Sequence, residues 1–161
     1  KLSLKFERYN MITIDEFKNK ITHKSRLLGL DLGSKRIGVA ICDHTQSIAT
    51  PFTTINKENN IKLIEQLKLI IDENNVKGII VGNPVNMDGS YGPATQSITD
   101  ICNNVLKNLN LPICLWDERL STVGAFNLSS ELDVNVSKKL KNIDKNAAAF
   151  ILQGAIDYLK N

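Results

Sequence analysis

Apolar and polar positions change period along the chain. Residues 27–31 are apolar up to a final acid and stop at Gly33-Ser34, the mark of a buried strand running into a tight turn. Residues 37–42 supply a second strand and 49–55 a third, so the opening third reads as an antiparallel meander. Beyond it the period lengthens. Apolar residues at 61, 63, 64, 67, 70 and 71 approximate one helical face over 58–73, and Asn74-Asn75 ends it. The apolar run 76–81 is a buried strand. Residues 82–93 hold Gly, Pro, Asn and Asp and read as a loop, and 94–109 suit a helix with Pro93 in its first turn. A fifth strand follows at 112–116, then a short helix from 122 to about 131 and a polar, basic stretch over 132–143. Residues 145–159 close as a helix with apolar positions 148, 151, 152, 155 and 159, and Asp144 falls at its N-cap.

A meander followed by strands alternating with helices predicts an α/β fold: a mixed five-stranded sheet, its first three strands antiparallel, covered by helices. The later strands are expected to be parallel, because each returns through a helical crossover. In such sheets ligands gather at the carboxyl ends of adjacent strands. Asp31 and Asp117-Glu118 both lie at strand exits.

Composition narrows the class. At 161 residues the chain suits one domain with a real core. No apolar run approaches a membrane span and the first residues lack a secretory apolar region, so a cytoplasmic location and no membrane partner are expected. Cys42, Cys102 and Cys114 have no C-x-x-C spacing and sit in apolar stretches, as core thiols do. His23 and His44 have no partner at zinc-ligand spacing. The net charge of +3 is uneven: residues 1–26 carry seven Lys/Arg against three Asp/Glu, and the remainder is close to neutral. Residues 1–26 are therefore read as a basic N-terminal extension, part of it foreign to the domain since the first Met is Met11, and 27–161 as the domain. No edge or patch reads as an interface, so a monomer or weak homodimer is expected.

Asp31 is an acid inside an apolar strand, where an unpaired carboxylate costs on the order of several kcal/mol. A bound cation offsets that cost, and so would amides of the Gly33-Ser34 turn; on this residue alone the two readings are even. Asp117-Glu118-Arg119 ends another core strand, where alternation lets one acid face Asp31, and Glu118 is the favoured one. Asp144 precedes Ala147, Ala148 and Ala149, small residues that let a helix start approach the sheet, although an Asp there is also an ordinary cap. Three convergent carboxylates without Cys or His suit Mg²⁺ or Mn²⁺. Two such ions, roughly 4 Å apart, serve phosphodiester hydrolysis. Lys35 and Arg36 in the first turn, Arg119, and Lys138, Lys139, Lys141 and Lys145 before and at the last helix are candidate phosphate contacts. The Gly89–Pro93 segment could present amides to a phosphate as well.

Four motifs in order resemble the YqgF (RuvX-type) family. They are Gly29-Leu30-Asp31-Leu32-Gly33-Ser34-Lys35-Arg36-Ile37-Gly38-Val39-Ala40; Asn86-Met87-Asp88-Gly89-Ser90 with Gly92-Pro93; Asp117-Glu118-Arg119-Leu120-Ser121-Thr122; and Asp144 with Ala147-Ala148 and Ile151-Leu152-Gln153. The resemblance implies a ribonuclease H-like fold related to Holliday-junction resolvases. It also implies a nuclease maturing the 5′ end of pre-16S ribosomal RNA, with metal-ligand roles at Asp31, Glu118 and Asp144 and the pre-ribosomal particle as partner. Asn83 stands where the family carries an apolar residue, and Gly124 where an acid is common. RNA is the expected substrate, with branched DNA or a noncatalytic RNA-binding role as alternatives. Leu30-Asp31-Leu32-Gly33 also resembles the phosphate turn of actin-like ATPases and sugar kinases, but those folds need a second related domain and a second Gly-rich turn, which this length does not hold.

Overall fold

The structure, a computed structural model, describes residues 11–22, 24–83, 93–118 and 143–160. Its elements are β1 (Met11–Ile12), α1 (Ile14–Lys20), β2 (Arg26–Leu32), β3 (Arg36–Cys42), β4 (Ala49–Asn56), α2 (Asn60–Asn74), β5 (Val76–Asn83), α3 (Pro93–Asn104), a 3₁₀ turn (Leu106–Leu109), β6 (Ile113–Asp117) and α4 (Ile143–Lys160). One sheet runs in the order β1-β6-β5-β2-β3-β4. β2, β3 and β4 pair antiparallel, whereas β5 joins β2, and β6 joins β5, in parallel. This is the mixed sheet expected of a ribonuclease H-like chain.

One expectation is corrected. The sheet has six strands instead of five, because Met11 and Ile12 pair in parallel with Ile113 and Cys114 at its edge. Within residues 1–26, the described stretch 11–20 packs on the sheet. Thr13 caps α1, its hydroxyl oxygen accepting from the Glu16 amide at 3.2 Å and its hydroxyl donating to the Glu16 carboxylate at 3.1 Å. Phe17 is fully buried where Gly78 leaves room for its ring; a Cβ at residue 78 would stand 2.5 Å from Phe17 Cζ. The Thr-x-x-Glu spacing at 13–16 marks this helix start in the sequence.

Strand alternation feeds a core on each side of the sheet. Leu28, Leu30, Ile79, Val81 and Ile113 pack with Leu63, Leu67 and Ile70 of α2 and Ile98 and Cys102 of α3. Leu27, Ile80, Cys114 and Trp116 pack with Phe17 and with Ala148, Ile151, Leu152 and Ala155 of α4. α2 begins at an Asn59 cap and ends at Asn75 in the left-handed conformation, as its closing Asn pair predicts. All three cysteines are buried and free, and burial pushes the thiols of Cys102 and Cys114 up to about 12. They serve as core hydrophobes. Among the described residues no helix is long and apolar enough to cross a membrane. The helix expected over 122–131 lies outside the described residues.

Candidate active site

Register decides which side chains meet. Leu30 pairs with Val81 and Val81 with Leu115, so one residue further on Asp31 stands beside Gly82, which pairs with Trp116. These residues face α4. Glu118, two residues past Trp116, stays on that face by alternation, whereas Asp117 pairs with Asn83 and turns to the other. Asp31, Gly82 and Glu118 thus line one cleft of about 270 Å³ at the strand exits, with Ser34, Lys57 and Ser97 on its other walls.

Glycine makes this arrangement possible at two points. A Cβ at residue 29 would lie 2.7 Å from Leu152 Cβ and 2.9 Å from the Ala148 carbonyl oxygen, so α4 rests directly on β2. A Cβ at residue 82 would lie 2.4 Å from Ile151 Cδ1 and 2.8 Å from Glu118 Oε1, so the Glu118 carboxyl lies back over the bare backbone of Gly82. Gly33 holds the turn after Asp31 tight, with only 2.5 Å between its would-be Cβ and the Arg36 carbonyl oxygen. Gln153 fixes the height of α4. Its side-chain oxygen accepts from the Ala49 amide at 2.9 Å, and its NH₂ donates to the Ser47 carbonyl at 3.0 Å and to Asp157 at 2.9 Å.

The electrostatics are those of crowded acids. The half-buried Glu118 carboxyl holds its proton more tightly than usual, first because burial penalises the charge, then because Asp31 and Asp117 stand near it. A carboxylate so placed opposes folding once the pH rises above its unfolded pKa of about 4.3, since the folded chain then binds the proton that the unfolded chain has lost. In the presence of a chelator, Glu118→Gln is therefore expected to raise Tm at pH 7, with the gain vanishing as the pH falls below about 4. Thermal melts across that range check the sign.

The set fits a hard divalent cation: oxygen donors, like charges in need of neutralisation and, among the described residues, neither Cys nor His lining the cleft. Among the described residues no group of three His, Cys, Asp or Glu converges, and the described part of the site has two acids. Asp144 was expected at the cap of the last helix. α4 instead begins at Ile143, which puts Asp144 in its first turn, one turn before Ala148. The side chains of Asp144 and Lys145 lie outside the described residues, as do Arg119, Lys138, Lys139 and Lys141 and the Gly89–Gly92 loop.

Lys35 and Arg36 are exposed beside the cleft, in an open groove shared with Ser34, Asn56, Lys57 and Glu58. Neither Lys57 nor Gly82 was singled out by sequence. A lone lysine after a strand carries no signal, whereas a glycine closing a buried strand does mark a close approach. Asn83 is 8% exposed, and its side-chain oxygen is buried with no hydrogen-bond partner among the described residues. Such an acceptor costs about 1–3 kcal/mol, so Asn83→Leu is expected to raise Tm by a few degrees in a thermal melt.

Comparison with known proteins adds the family. The model of the RuvX family, described as Holliday junction resolvase, matches residues 25–158. A protein of Pelagibacter ubique named "Putative pre-16S rRNA nuclease" is 70% identical over 151 residues, covering 94% of this chain and all of that one. Proteins of the same name from Zymomonas mobilis and Clostridium kluyveri are 42% and 44% identical, over 88% and 82% of this chain and 86% and 96% of theirs. Among solved structures, Thermus thermophilus RuvC in complex with a Holliday junction substrate superposes with a TM-score of 0.53 at 6% identity, covering 85% of this chain and 97% of that one, a likeness of fold. With its family model matching residues 25–158, and relatives matched over most of their length, the chain belongs to the RuvX (YqgF) family.

Proposed function

We propose that this protein is a metal-dependent nuclease that hydrolyses phosphodiester bonds of precursor 16S ribosomal RNA, at its 5′ end. One observation carries the reading: the half-buried Glu118 lies beside Asp31 at the strand exits, in a cleft that opens onto a basic groove. The names of the relatives supply the substrate. Asp31, Glu118 and Asp144 would hold Mg²⁺ or Mn²⁺, as a pair of ions. Held there, such ions would supply Lewis-acid polarisation of phosphoryl oxygens and a water ionisable near neutral pH. The chain's own part is to hold the acids in place through Gly29, Gly82 and Gln153, and to position the phosphodiester with Lys35, Arg36, Arg119, Lys138, Lys139, Lys141 and Lys145. On this reading the protein works in the cytoplasm on the pre-ribosomal particle, as a monomer or weak homodimer.

A second reading is favoured by the fold shared with RuvC: cleavage of branched DNA. One assay separates them. Purified protein with Mg²⁺ or Mn²⁺ is offered precursor 16S RNA and a four-way DNA junction, and the expected result is cleavage of the RNA near its mature 5′ end. Cleavage of the junction alone would replace the first reading by the second.

A further inference from the structure

The cleft and the basic groove are contiguous. Ser34 and Lys57 line both: Asp31 and Glu118 lie on one side of that junction, and Lys35, Arg36 and Asn56 on the other. The groove, about 520 Å³, runs between the β2–β3 turn and the end of β4. It is built, not left over: the Lys57 amide donates to the Lys35 carbonyl at 2.9 Å, which ties the two sides together. Three cations face one carboxylate, Glu58, along it.

Lys57 is the informative residue. It is half-buried, and among the described residues its ammonium has neither an ion pair nor a hydrogen bond, although acids share its cleft. A half-buried lysine that lines both an acidic cleft and a basic groove is placed for an anion that arrives from outside. The two hollows share Ser34 and Lys57, so an anionic chain with one phosphate at the acids would continue into the groove.

We infer that the groove between the β2–β3 turn and the end of β4 carries the substrate's phosphodiester backbone, with Lys57 gripping the phosphate next to the one at the acids. The inference rests on the nuclease reading of the cleft. Because the grip is electrostatic and directed at the backbone, it acts on RNA and DNA single strands alike.

The test is fluorescence anisotropy of a labelled short single-stranded RNA, and of DNA of the same sequence, in EDTA over a series of salt concentrations. Wild type, Lys57→Ala, Lys57→Arg and, as a control on α2 outside the groove, Lys68→Ala are compared. Lys57→Ala is expected to raise Kd about 5- to 10-fold for both strands and to lower the slope of log K against log salt by about 0.7. Lys57→Arg restores most of the affinity and the slope, and Lys68→Ala changes neither. Equal Kd and slope for wild type and Lys57→Ala, or a loss confined to RNA, would overturn the assignment. So would absence of binding by the wild type. Since no cleavage is needed in EDTA, a wild type that binds through Lys57 but does not cut with Mg²⁺ would sink the nuclease reading alone. One that cuts but ignores Lys57 would sink only the groove.

Discussion

Asp31→Asn is expected to lower kcat/KM for RNA cleavage by on the order of 10³-fold or more, equivalent to about 4 kcal/mol of transition-state stabilisation. The substitution keeps the size of the side chain and its place at the end of β2 beside Gly82, and removes only the charge. It should therefore leave the fold intact. It should also remove most of the stabilisation by Mn²⁺: in wild type, ion at a hundredfold excess over Kd contributes about 2.7 kcal/mol, worth roughly 5–10 °C in Tm for a chain of this size. Undiminished cleavage by the variant would put the activity elsewhere. A lost metal response with intact activity would separate binding from chemistry. Asp31→Asn also relieves Glu118 of a neighbouring charge, so the metal-free variant should melt no lower than wild type near pH 7.

The second large effect comes from two glycines that look alike in sequence and differ in what faces them. At Gly29 an added methyl meets a carbonyl oxygen and a Cβ of α4, neither of which can swing away. Gly29→Ala is expected to push α4 off the sheet and cost about 1–3 kcal/mol, the usual range for overpacking, or roughly 2–10 °C in Tm. At Gly82 the methyl meets the far end of Ile151, which can rotate, and the Glu118 carboxyl, which must leave its place. Gly82→Ala should cost less stability than Gly29→Ala yet lose more metal affinity and more cleavage. Paired melts and metal titrations on the two variants check the reversal; the same ranking in both measurements would contradict it.

Much of this was legible in the chain because burial leaves periodic marks. The meander, the helix over α2, the parallel strands and the final helix all follow from alternation, from helical spacing and from Asn75 at a helix end. Asp31 was legible as an acid in an apolar strand. Glu118 could be preferred to Asp117 by counting faces, and the register puts Glu118 in the cleft with Asp31. What escaped was long-range. Nothing local says that Met11 and Ile12 pair with β6, or that Phe17 fills the space over Gly78, because those contacts join segments far apart in the chain. Lys57 escaped for the same reason: its significance lies in a cleft formed with β2, β5 and α3. The first turn of α4 starts earlier than its Asp-x-x-Ala pattern suggests, an offset common at helix ends.

The proposed metal site needs two acids at the strand exits, Asp31 and Glu118, to be joined by a third, Asp144, from the first turn of α4. The most direct measurement is a crystal structure of the protein soaked in Mn²⁺, read by anomalous scattering. The predicted result is Mn²⁺ at the strand exits, bridged by the carboxylates of Asp31, Glu118 and Asp144. Saturating Mn²⁺ that leaves those three acids unligated, in protein that still cleaves RNA, would contradict it.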